Sequence, residues 1–514
     1  MPRNDVAVML LTLISACLLI LCFPKFSFWP IAWFSFVPIF FSVRKTPRLS
    51  AAFFHFYLFG VLFFFVTWEW LRHVSYFGWL ALVPLYALYF GAFGILTAWF
   101  WNRGRFFLSL FALPSAWAVL EWIRTEIPVW GFGWNLLAYS QSPNLNIAGI
   151  ARFVGAYGVS WLLMFANLTV FFLIDFWRTR KKSEALDAVL ALTILALIFG
   201  GNFFYQKNNS KILEPISAVR IALIQSNIPQ EHKWDPRSKS AIIETHEQLS
   251  RLVTFGDRPD LIIWPEAAFP GYFNKDPERA RVLALERELK IPILLGSPHF
   301  ESLESSREIS YNSAYLVDHR FAKEGRYDKI RLVSFGEYVP WRRFFNLFGL
   351  ERFAYSLGVS DFEAGKEEKV FSLEGKSQFS VLICFEDTFP FLARRSVEQG
   401  AQFLVVITND AWFSKSAAAY QHLQASIFRA IENGVPLVRS ANTGVSAFID
   451  RYGKVLDRVK DQEGHDTFIM GGLVRSISPP SEKTFYRTAG YQLPIYCLVF
   501  VLLSFILIIG GKTK

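Results

Sequence analysis

Length, composition and charge already exclude several classes of protein. The chain has 514 residues, of which 53% are hydrophobic and only 19% are charged, whereas an ordinary soluble chain carries about 25% charged residues. This composition excludes a disordered chain and a disulfide-rich scaffold, and it argues against a wholly soluble protein. The net charge of +10 does not point to nucleic acid, because many basic residues lie in short loops between apolar segments, which is typical of membrane topology.

Eight apolar segments approach or exceed the roughly 20 residues that a helix needs to cross a bilayer. Seven predict a membrane domain over residues 1–205, and the last predicts a C-terminal transmembrane helix. The first contains a lipoprotein-like Ile14-Ser15-Ala16-Cys17, but its apolar run continues to Leu21, so we expect a retained span rather than a cleaved signal. The predicted spans are 6–23, 28–43, 51–71, 76–101, 106–123, 153–177, 186–204 and 490–510.

Basic residues are concentrated in alternate loops, and this sets the predicted orientation. Because loops rich in Lys and Arg stay in the cytoplasm, both termini are expected there, and the segment between the seventh and eighth spans is expected on the outer side. The basic loops carry Arg44, Lys45 and Arg48; Arg103 and Arg105; and Arg178, Arg180, Lys181 and Lys182.

The loop between the fifth and sixth spans, 124–152, is rich in Trp, Tyr, Gly and Asn. An aromatic belt at the membrane surface explains this composition, and a loop beside a lateral lipid entrance near 130–141 is the alternative. Three acid–base pairs at span ends are spaced by three residues and are expected to form local ion pairs. These pairs are Glu69 with Arg72, Glu121 with Arg124, and Asp175 with Arg178.

Residues 217–478 have a soluble composition and alternate short β-branched runs with helical stretches, which predicts an α/β domain with helices over its sheets. The usual phosphate-binding and zinc motifs are absent from the sequence, and its His residues lack ligand spacing, so we expect neither cofactor nor metal. The predicted strands are Val219–Gln225, Leu261–Trp264, Ile291–Gly296, Ser313–Asp318, Ser380–Cys384, Phe403–Thr408, Pro436–Ala441 and Val445–Asp450, and the predicted helices are Ser238–Phe255, Pro277–Leu289 and Gln421–Asn433.

Three residues at predicted strand ends form a workable set for acyl transfer. Cys384 is the only cysteine of this domain and ends a strand just before polar residues, a corner that can expose a nucleophile; a buried core cysteine is the alternative. Glu266 follows an apolar strand, and Lys329 lies in Tyr327-Asp328-Lys329. A carboxylate can take the thiol proton and return it to a leaving group, and an ammonium can stabilise an oxyanion.

The motifs around these residues resemble those of the nitrilase superfamily. They are WPEAAFP (264–270), YDKIRLVSFGEYVP (327–340), LICFED (382–387) and NDAWF (409–413). With seven spans before the domain and one after it, the whole chain resembles the bacterial apolipoprotein N-acyltransferases. The resemblance implies a polytopic helical membrane domain and a nitrilase-like αββα sandwich on the outer side.

The resemblance also implies a ping-pong reaction. Cys384 accepts an acyl chain from the sn-1 ester of a phospholipid, typically phosphatidylethanolamine, and the α-amine of the diacylglyceryl-cysteine of an apolipoprotein then receives it. We expect a monomer in the bacterial inner membrane. The implied roles are general base and acid for Glu266, oxyanion stabilisation for Lys329, support for Glu337 and Glu386, and substrate binding for Trp234, Phe385 and Tyr338.

Several alternatives stay open at this point. Trp412 either lines an acyl pocket or packs, and packing is favoured; His422 is either a Cys–His base or structural, and a structural role is favoured. For the whole chain, one alternative is a membrane-bound nitrilase-like amidase that uses water as the acceptor. Another is a transporter or lipid-binding protein with a retired catalytic domain, against which the intact Glu-Lys-Cys set argues.

Overall fold

The first part of the chain and its last segment form a bundle of apolar helices. A computed structural model describes residues 3–46, 48–104, 106–180, 182–209, 218–256, 258–302, 308–320, 325–341, 361–479 and 483–510. Within these ranges, five helices are long and apolar enough to cross a membrane. The helices of the bundle are α1 (Arg3–Leu21), α2 (Val37–Lys45), α3 (Leu49–Thr67), α4 (Leu71–Val74), α5 (Tyr76–Trp101), α6 (Phe106–Glu126), α7 (Leu145–Ala148), α8 (Ala151–Thr179) and α9 (Lys182–Asn209).

The predicted span 28–43 departs from the prediction, because it does not form one continuous helix. A short 3₁₀ turn over Trp29–Trp33 precedes α2, and a proline lies at the start of each. At 1.5 Å per residue, the nine residues of α2 extend only about 14 Å, less than half of the hydrocarbon core.

The three predicted ion pairs have three different outcomes. Arg72 pairs with Glu69 at 2.5 Å, as expected. Asp175 instead pairs with Arg44 of α2 at 3.1 Å, so this pair joins two helices. In the third pair both partners bind main chain: Glu121 accepts from the Leu137 amide at 2.7 Å, and Arg124 donates to the Trp134 carbonyl at 2.8 Å. These two residues therefore attach the loop after α6 to its own helix.

The α/β part contains two six-stranded sheets. The first has the order β12-β1-β2-β3-β4-β5 and the second β11-β10-β9-β8-β7-β6, with parallel strands at the centre of each and antiparallel strands outside. The strands are β1 (Val219–Gln225), β2 (Leu261–Ile263), β3 (Ile293–Ser302), β4 (Glu308–Val317), β5 (Gly325–Asp328), β6 (Val370–Leu373), β7 (Ser377–Ile383), β8 (Phe403–Thr408), β9 (Leu437–Ala441), β10 (Ala447–Ile449), β11 (Val455–Arg458) and β12 (Gly471–Ile477).

Helices cover both outer faces of the sheet pair. Side chains alternate along β1: Ile221 and Leu223 join the core between the sheets, whereas Ala222 and Ile224 pack under helices. This produces the αββα layering that the resemblance implies. The covering helices are α10 (Lys239–Thr254) and α11 (Arg279–Leu289) on the first sheet, and α12 (Pro390–Glu398) and α13 (Ala418–Asn433) on the second; α14 (Phe485–Thr488) and α15 (Leu493–Gly510) then lead back into the bundle.

Helix α13 joins the two halves of the molecule through Gln421, a contact that we call the Gln421 junction. The indole N–H groups of Trp70 and Trp134 donate to its Oε1 at 3.1 and 2.8 Å. Its own amide donates to the carbonyls of Thr67 at 3.0 Å and Pro24 at 3.3 Å. Four polar groups from the bundle thus meet one buried amide, which fixes α13 against the membrane domain.

Candidate active site

Cys384 lies at the corner where β7 ends and a short 3₁₀ turn, Cys384–Thr388, begins. Its backbone has a φ of +53°, a conformation that costs energy for any residue other than glycine and therefore needs support from its surroundings. Glu386 supplies part of this support, because its carboxylate accepts a hydrogen bond from the Ile383 amide at 2.8 Å. Cys384 is buried, with 9% of the residue exposed.

Glu386 also connects this corner to the segment that carries Lys329. Its fully buried carboxylate accepts hydrogen bonds from the Tyr327 hydroxyl at 2.9 Å and from the amides of Ile330 at 2.7 Å and Arg331 at 3.0 Å. Burial raises the pKa of Glu386 to about 7, which these donors oppose. Glu386 thus joins the Cys384 corner to the backbone on either side of Lys329.

Glu266, Lys329 and Glu337 form a buried cluster around one asparagine. Lys329 Nζ lies 2.9 Å from Glu337 Oε1 and 3.7 Å from Glu266 Oε1. The Asn312 side-chain amide donates to both carboxylates, at 2.8 Å each. The second oxygen of Glu266 accepts from the Asn409 amide at 2.9 Å. Each carboxylate is thus held by two or more donors.

The charges in this cluster determine the state of the thiol at rest. Burial raises the pKa of Cys384 well above its usual value; Glu266 adds to this effect, and Lys329 opposes it. Burial alone would lower the pKa of Lys329, but the carboxylates of Glu337 and Glu266 outweigh burial and hold that pKa above its usual value. These two directions favour a neutral thiol and a charged ammonium in the resting site.

The expected substrate-binding residues lie around this cluster in different ways. Phe385 is buried, and its ring centroid lies 5.6 Å from that of Phe132 in the loop after α6. Tyr338 is half-buried, and its hydroxyl accepts from Ser334 at 3.2 Å. Trp234 is 50% exposed on the loop after β1, and Trp412 is 46% exposed, so each has about half of its surface open to solvent.

His422 lies behind the nucleophile rather than beside its thiol. Its Nε2 is 3.2 Å from the main-chain oxygen of Cys384 and 2.9 Å from Asp387, and its Nδ1 is 3.0 Å from Asp410. Arg439 contacts both aspartates at 3.1 Å. This fully buried charge network (Asp387, Asp410, His422 and Arg439) fits a structural role for His422 and not that of a Cys–His base.

Two residues of the cluster were not found from the sequence. Asn312 lies in the middle of β4, and it reaches the site because the β4–β5 pairing places it next to Lys329, whose amide donates to its carbonyl at 2.8 Å. Lys233 precedes Trp234, and its Nζ donates to the Glu266 carbonyl at 3.0 Å. No local sequence pattern marks either residue.

The described residues of the same domain include two groups of potential metal ligands, an exposed one at Asp461, Glu463 and His465 and a mainly buried one. Glu286, Asp318 and His319 bring their ligand atoms within 4.8 Å of one another. Glu286 already binds His319 at 2.6 Å, and Asp318 binds Arg320 at 2.6 Å, so internal partners account for this group.

Fold and site together define a class: a nitrilase-type α/β domain, with a cysteine, a glutamate and a lysine at strand ends, mounted on a helical membrane domain. The family model of the apolipoprotein N-acyltransferase N-terminal domain matches residues 15–169, and the carbon–nitrogen hydrolase model matches residues 220–471.

Relatives along the whole chain identify the family. The apolipoprotein N-acyltransferase of Geobacter metallireducens is 36% identical over 468 residues, covering 88% of this chain and 87% of its own length. That of Haemophilus influenzae is 31% identical over 506 residues, covering 95% and 92%. A nitrilase-superfamily amidase from Nesterenkonia AN1 is 21% identical with a TM-score of 0.39, covering 55% of this chain and 97% of its own.

The chain belongs to the apolipoprotein N-acyltransferase family. It is a membrane-associated acyltransferase of lipoprotein maturation within the nitrilase superfamily, and the amidase alternative is not favoured.

Proposed function

We propose that the chain moves an acyl chain from the sn-1 ester of a phospholipid, typically phosphatidylethanolamine, to the α-amine of the diacylglyceryl-cysteine of an apolipoprotein. The observation that carries this proposal is the meeting of Glu266, Lys329 and Glu337 in one buried cluster whose charges act on the Cys384 thiol. The ring of Phe385, next to the nucleophile, contacts Phe132 of the membrane domain, which supports a lipid substrate.

In the first half-reaction, Glu266 takes the thiol proton as the sulfur of Cys384 attacks the ester carbonyl. Lys329 stabilises the negative charge that develops on the carbonyl oxygen, because its ammonium is held charged beside the cluster. The carbon–oxygen bond of the ester then breaks, and Glu266 returns the proton to the leaving alkoxide. The products are a thioester on Cys384 and a lysophospholipid.

In the second half-reaction, the neutral α-amine of the acceptor attacks the thioester carbonyl. Glu266 accepts a proton from the attacking nitrogen, the carbon–sulfur bond breaks, and the proton passes to the departing thiolate. The amide product and the resting thiol result. Glu337 does not need to touch substrate in this scheme, because its 2.9 Å contact holds Lys329 in place.

We further propose that the protein is a monomer of the bacterial inner membrane, with both termini in the cytoplasm and the catalytic domain on the outer side. The alternation of basic loops supports this orientation. A site on the outer surface lets the acyl chain stay largely in the bilayer. This matters because each CH₂ group that stays buried in lipid stabilises the membrane-bound state by about 0.8 kcal/mol.

The mass of the intact protein tests the proposal. Incubation of the purified full chain with phospholipid alone should add one acyl group to Cys384, and Cys384→Ala should abolish this gain. Subsequent addition of a diacylated lipopeptide should remove the acyl group and place it on the peptide amine. Release of free fatty acid without transfer to the peptide would instead establish a hydrolase.

A further inference from the structure

Lys233 places a second buried ammonium in the candidate active site. Its side chain follows β1 and is 1% exposed. Its Nζ donates one hydrogen bond, at 3.0 Å, to the main-chain oxygen of Glu266, and within the described part of the chain this is its one hydrogen-bond partner. A lysine ammonium has three donors. Burial of a charge with so few partners is costly unless opposite charges compensate.

The negative charges that compensate the Lys233 ammonium belong to two residues of the proposed reaction, Glu266 and Cys384. Burial lowers the pKa of Lys233 to about 8, and the negative charges of Glu266 and of ionised Cys384 counteract this. The interaction is mutual, so the ammonium also favours the thiolate form of Cys384. Among the described residues, the other charged or titratable groups that face these three are His246 of α10, Lys329 after β5 and Asp410 after β8, and Glu337 in the following loop acts on Lys329.

The hydrogen bond of Lys233 also fixes the backbone turn that carries Glu266. Ala267 follows with a φ of +48°. On the far side, β3 closes on the turn at Gly296, where a Cβ atom would lie 2.6 Å from the Glu266 Cα. Lys233 supports the turn from the near side, and its neighbour Trp234 lies half exposed on the same loop. The position of this loop is thus tied to that of the proposed base.

We propose that Lys233 is a positioning residue of acyl transfer, which holds the Glu266 turn in place and supplies a second positive charge beside Glu266 and Cys384. This inference rests on the proposed function, because it takes Cys384 to be the residue that receives the acyl chain. Its two parts, a charge and a hydrogen bond, are separable by substitution.

The rate of Cys384 alkylation tests the effect of the Lys233 charge on the thiol. We compare the full-length protein with Lys233→Gln, which loses the charge but retains an amide donor, and Lys233→Met, which loses both. Iodoacetamide modification of the Cys384 peptide is followed by mass spectrometry from about pH 6 to pH 10. Below about pH 8, where the Lys233 ammonium carries its charge, both variants should react about 10-fold more slowly than the unaltered protein, because a cation near the thiolate is gone.

Steady-state kinetics test the role of the hydrogen bond from Lys233 to the main-chain oxygen of Glu266. Lys233→Gln should lower kcat with little change in KM, whereas Lys233→Met should also raise KM because the loop is no longer held to the Glu266 turn. Lys239→Gln is the matched control, since that lysine pairs with Asp276 in the same domain; its alkylation profile should match that of the unaltered protein.

An alkylation profile of Lys233→Gln that superimposes on that of the unaltered protein would overturn the charge role. If both neutral variants fail to fold, Lys233→Arg replaces them: it should keep the original profile, and a shifted profile in this folded variant would overturn the proposal. Absence of an acyl-enzyme with phospholipid would instead count against the proposed function, because alkylation does not require acyl transfer.

Discussion

At the scale of single residues, some side chains of the candidate site are predictable from the sequence, whereas others are found only in the folded structure. Glu266 and Cys384 follow apolar strands directly, so their positions at a sheet edge are predictable from periodicity. Asn312 and Lys233 depend on strand register and on the path of a loop. No local pattern encodes those, so the donors that hold the carboxylates emerge only from the fold.

Asn312→Leu should slow formation of the thioester by about 10- to 100-fold. The substitution removes a donor shared by Glu266 and Glu337, and a hydrogen bond to a charged group contributes about 1.5–3 kcal/mol. Single-turnover mass spectrometry with phospholipid alone measures this rate. Ser310→Ala is the control, because its side chain lies on the same strand and its hydroxyl donates to the exposed Tyr272 hydroxyl rather than to the cluster. Equal rates in both variants would contradict the bridging role.

Gly133→Ala should also impair the nucleophile corner, although it changes no catalytic group. A Cβ atom there would lie 2.5 Å from the Thr388 carbonyl oxygen, at the end of the turn that begins with Cys384. We expect a several-fold slower acylation, measured by the same assay. Gly200→Ala in α9 is the control, since a Cβ atom there meets nothing within 4 Å. An unchanged rate in Gly133→Ala would show that the corner tolerates displacement.

At the scale of elements, central and edge strands differ in how well the sequence predicts them. The eight predicted strands correspond to β1–β4 and β7–β10, whereas the four that were missed, β5, β6, β11 and β12, form the outer edges of the two sheets. Edge strands are exposed on one side and partly solvated, so they lack continuous apolar runs; β11, for example, is half-buried throughout. Burial produces the signal on which strand prediction depends.

Helix α13 is the element whose attachment is most readily tested. Gln421→Leu should lower the melting temperature of the purified protein by several degrees, because Trp70, Trp134 and two main-chain carbonyls lose their partner. Gln424→Leu on the same helix is the matched control: it is equally buried, but its Oε1 has no hydrogen-bond partner among the described residues. Equal melting temperatures in the two variants would contradict the importance of the junction.

At the scale of the whole molecule, a membrane half and an α/β half share one continuous core. Buried residues of both halves belong to a single cluster that extends from α1 to β10. The composition predicted both halves, because a 20-residue apolar segment and an alternating strand are strong signals. It did not predict their contact, which depends on Gln421 and on the loop after α6.

The buried charge network should make folding sensitive to acid. Arg439 and His422 outweigh burial and hold the pKa of Asp410 below its usual value. A lowered carboxyl pKa contributes stability above the usual value of about 4, and this contribution is lost as the pH falls below it. The melting temperature should therefore begin to fall at about pH 5 and should continue to fall below pH 3. Asp410→Asn should be less stable at neutral pH and should show a shallower decline; an identical decline would exclude Asp410 as its source.

Orientation in the membrane is testable by labelling in intact cells. In a Cys17→Ser background, Arg237→Cys in the α/β domain should react with a membrane-impermeant maleimide added from outside. Arg180→Cys in the basic loop after α8 should react only after the membrane is permeabilised. Both positions are exposed. Labelling in the opposite pattern would reverse the proposed topology.

The Gln421 junction has a consequence for anyone who wishes to work with the enzyme without lipid. From Gln421 to Asn433, α13 is buried along its whole length, between the second sheet and the membrane helices. Excision of 217–478 as a water-soluble fragment would remove the membrane helices that cover one side of this helix. The uncovered side would lie close to the backbone of Cys384. We therefore expect the α/β domain to need the membrane domain for its native structure. Detergent or nanodisc preparations of the full-length protein are the appropriate starting material.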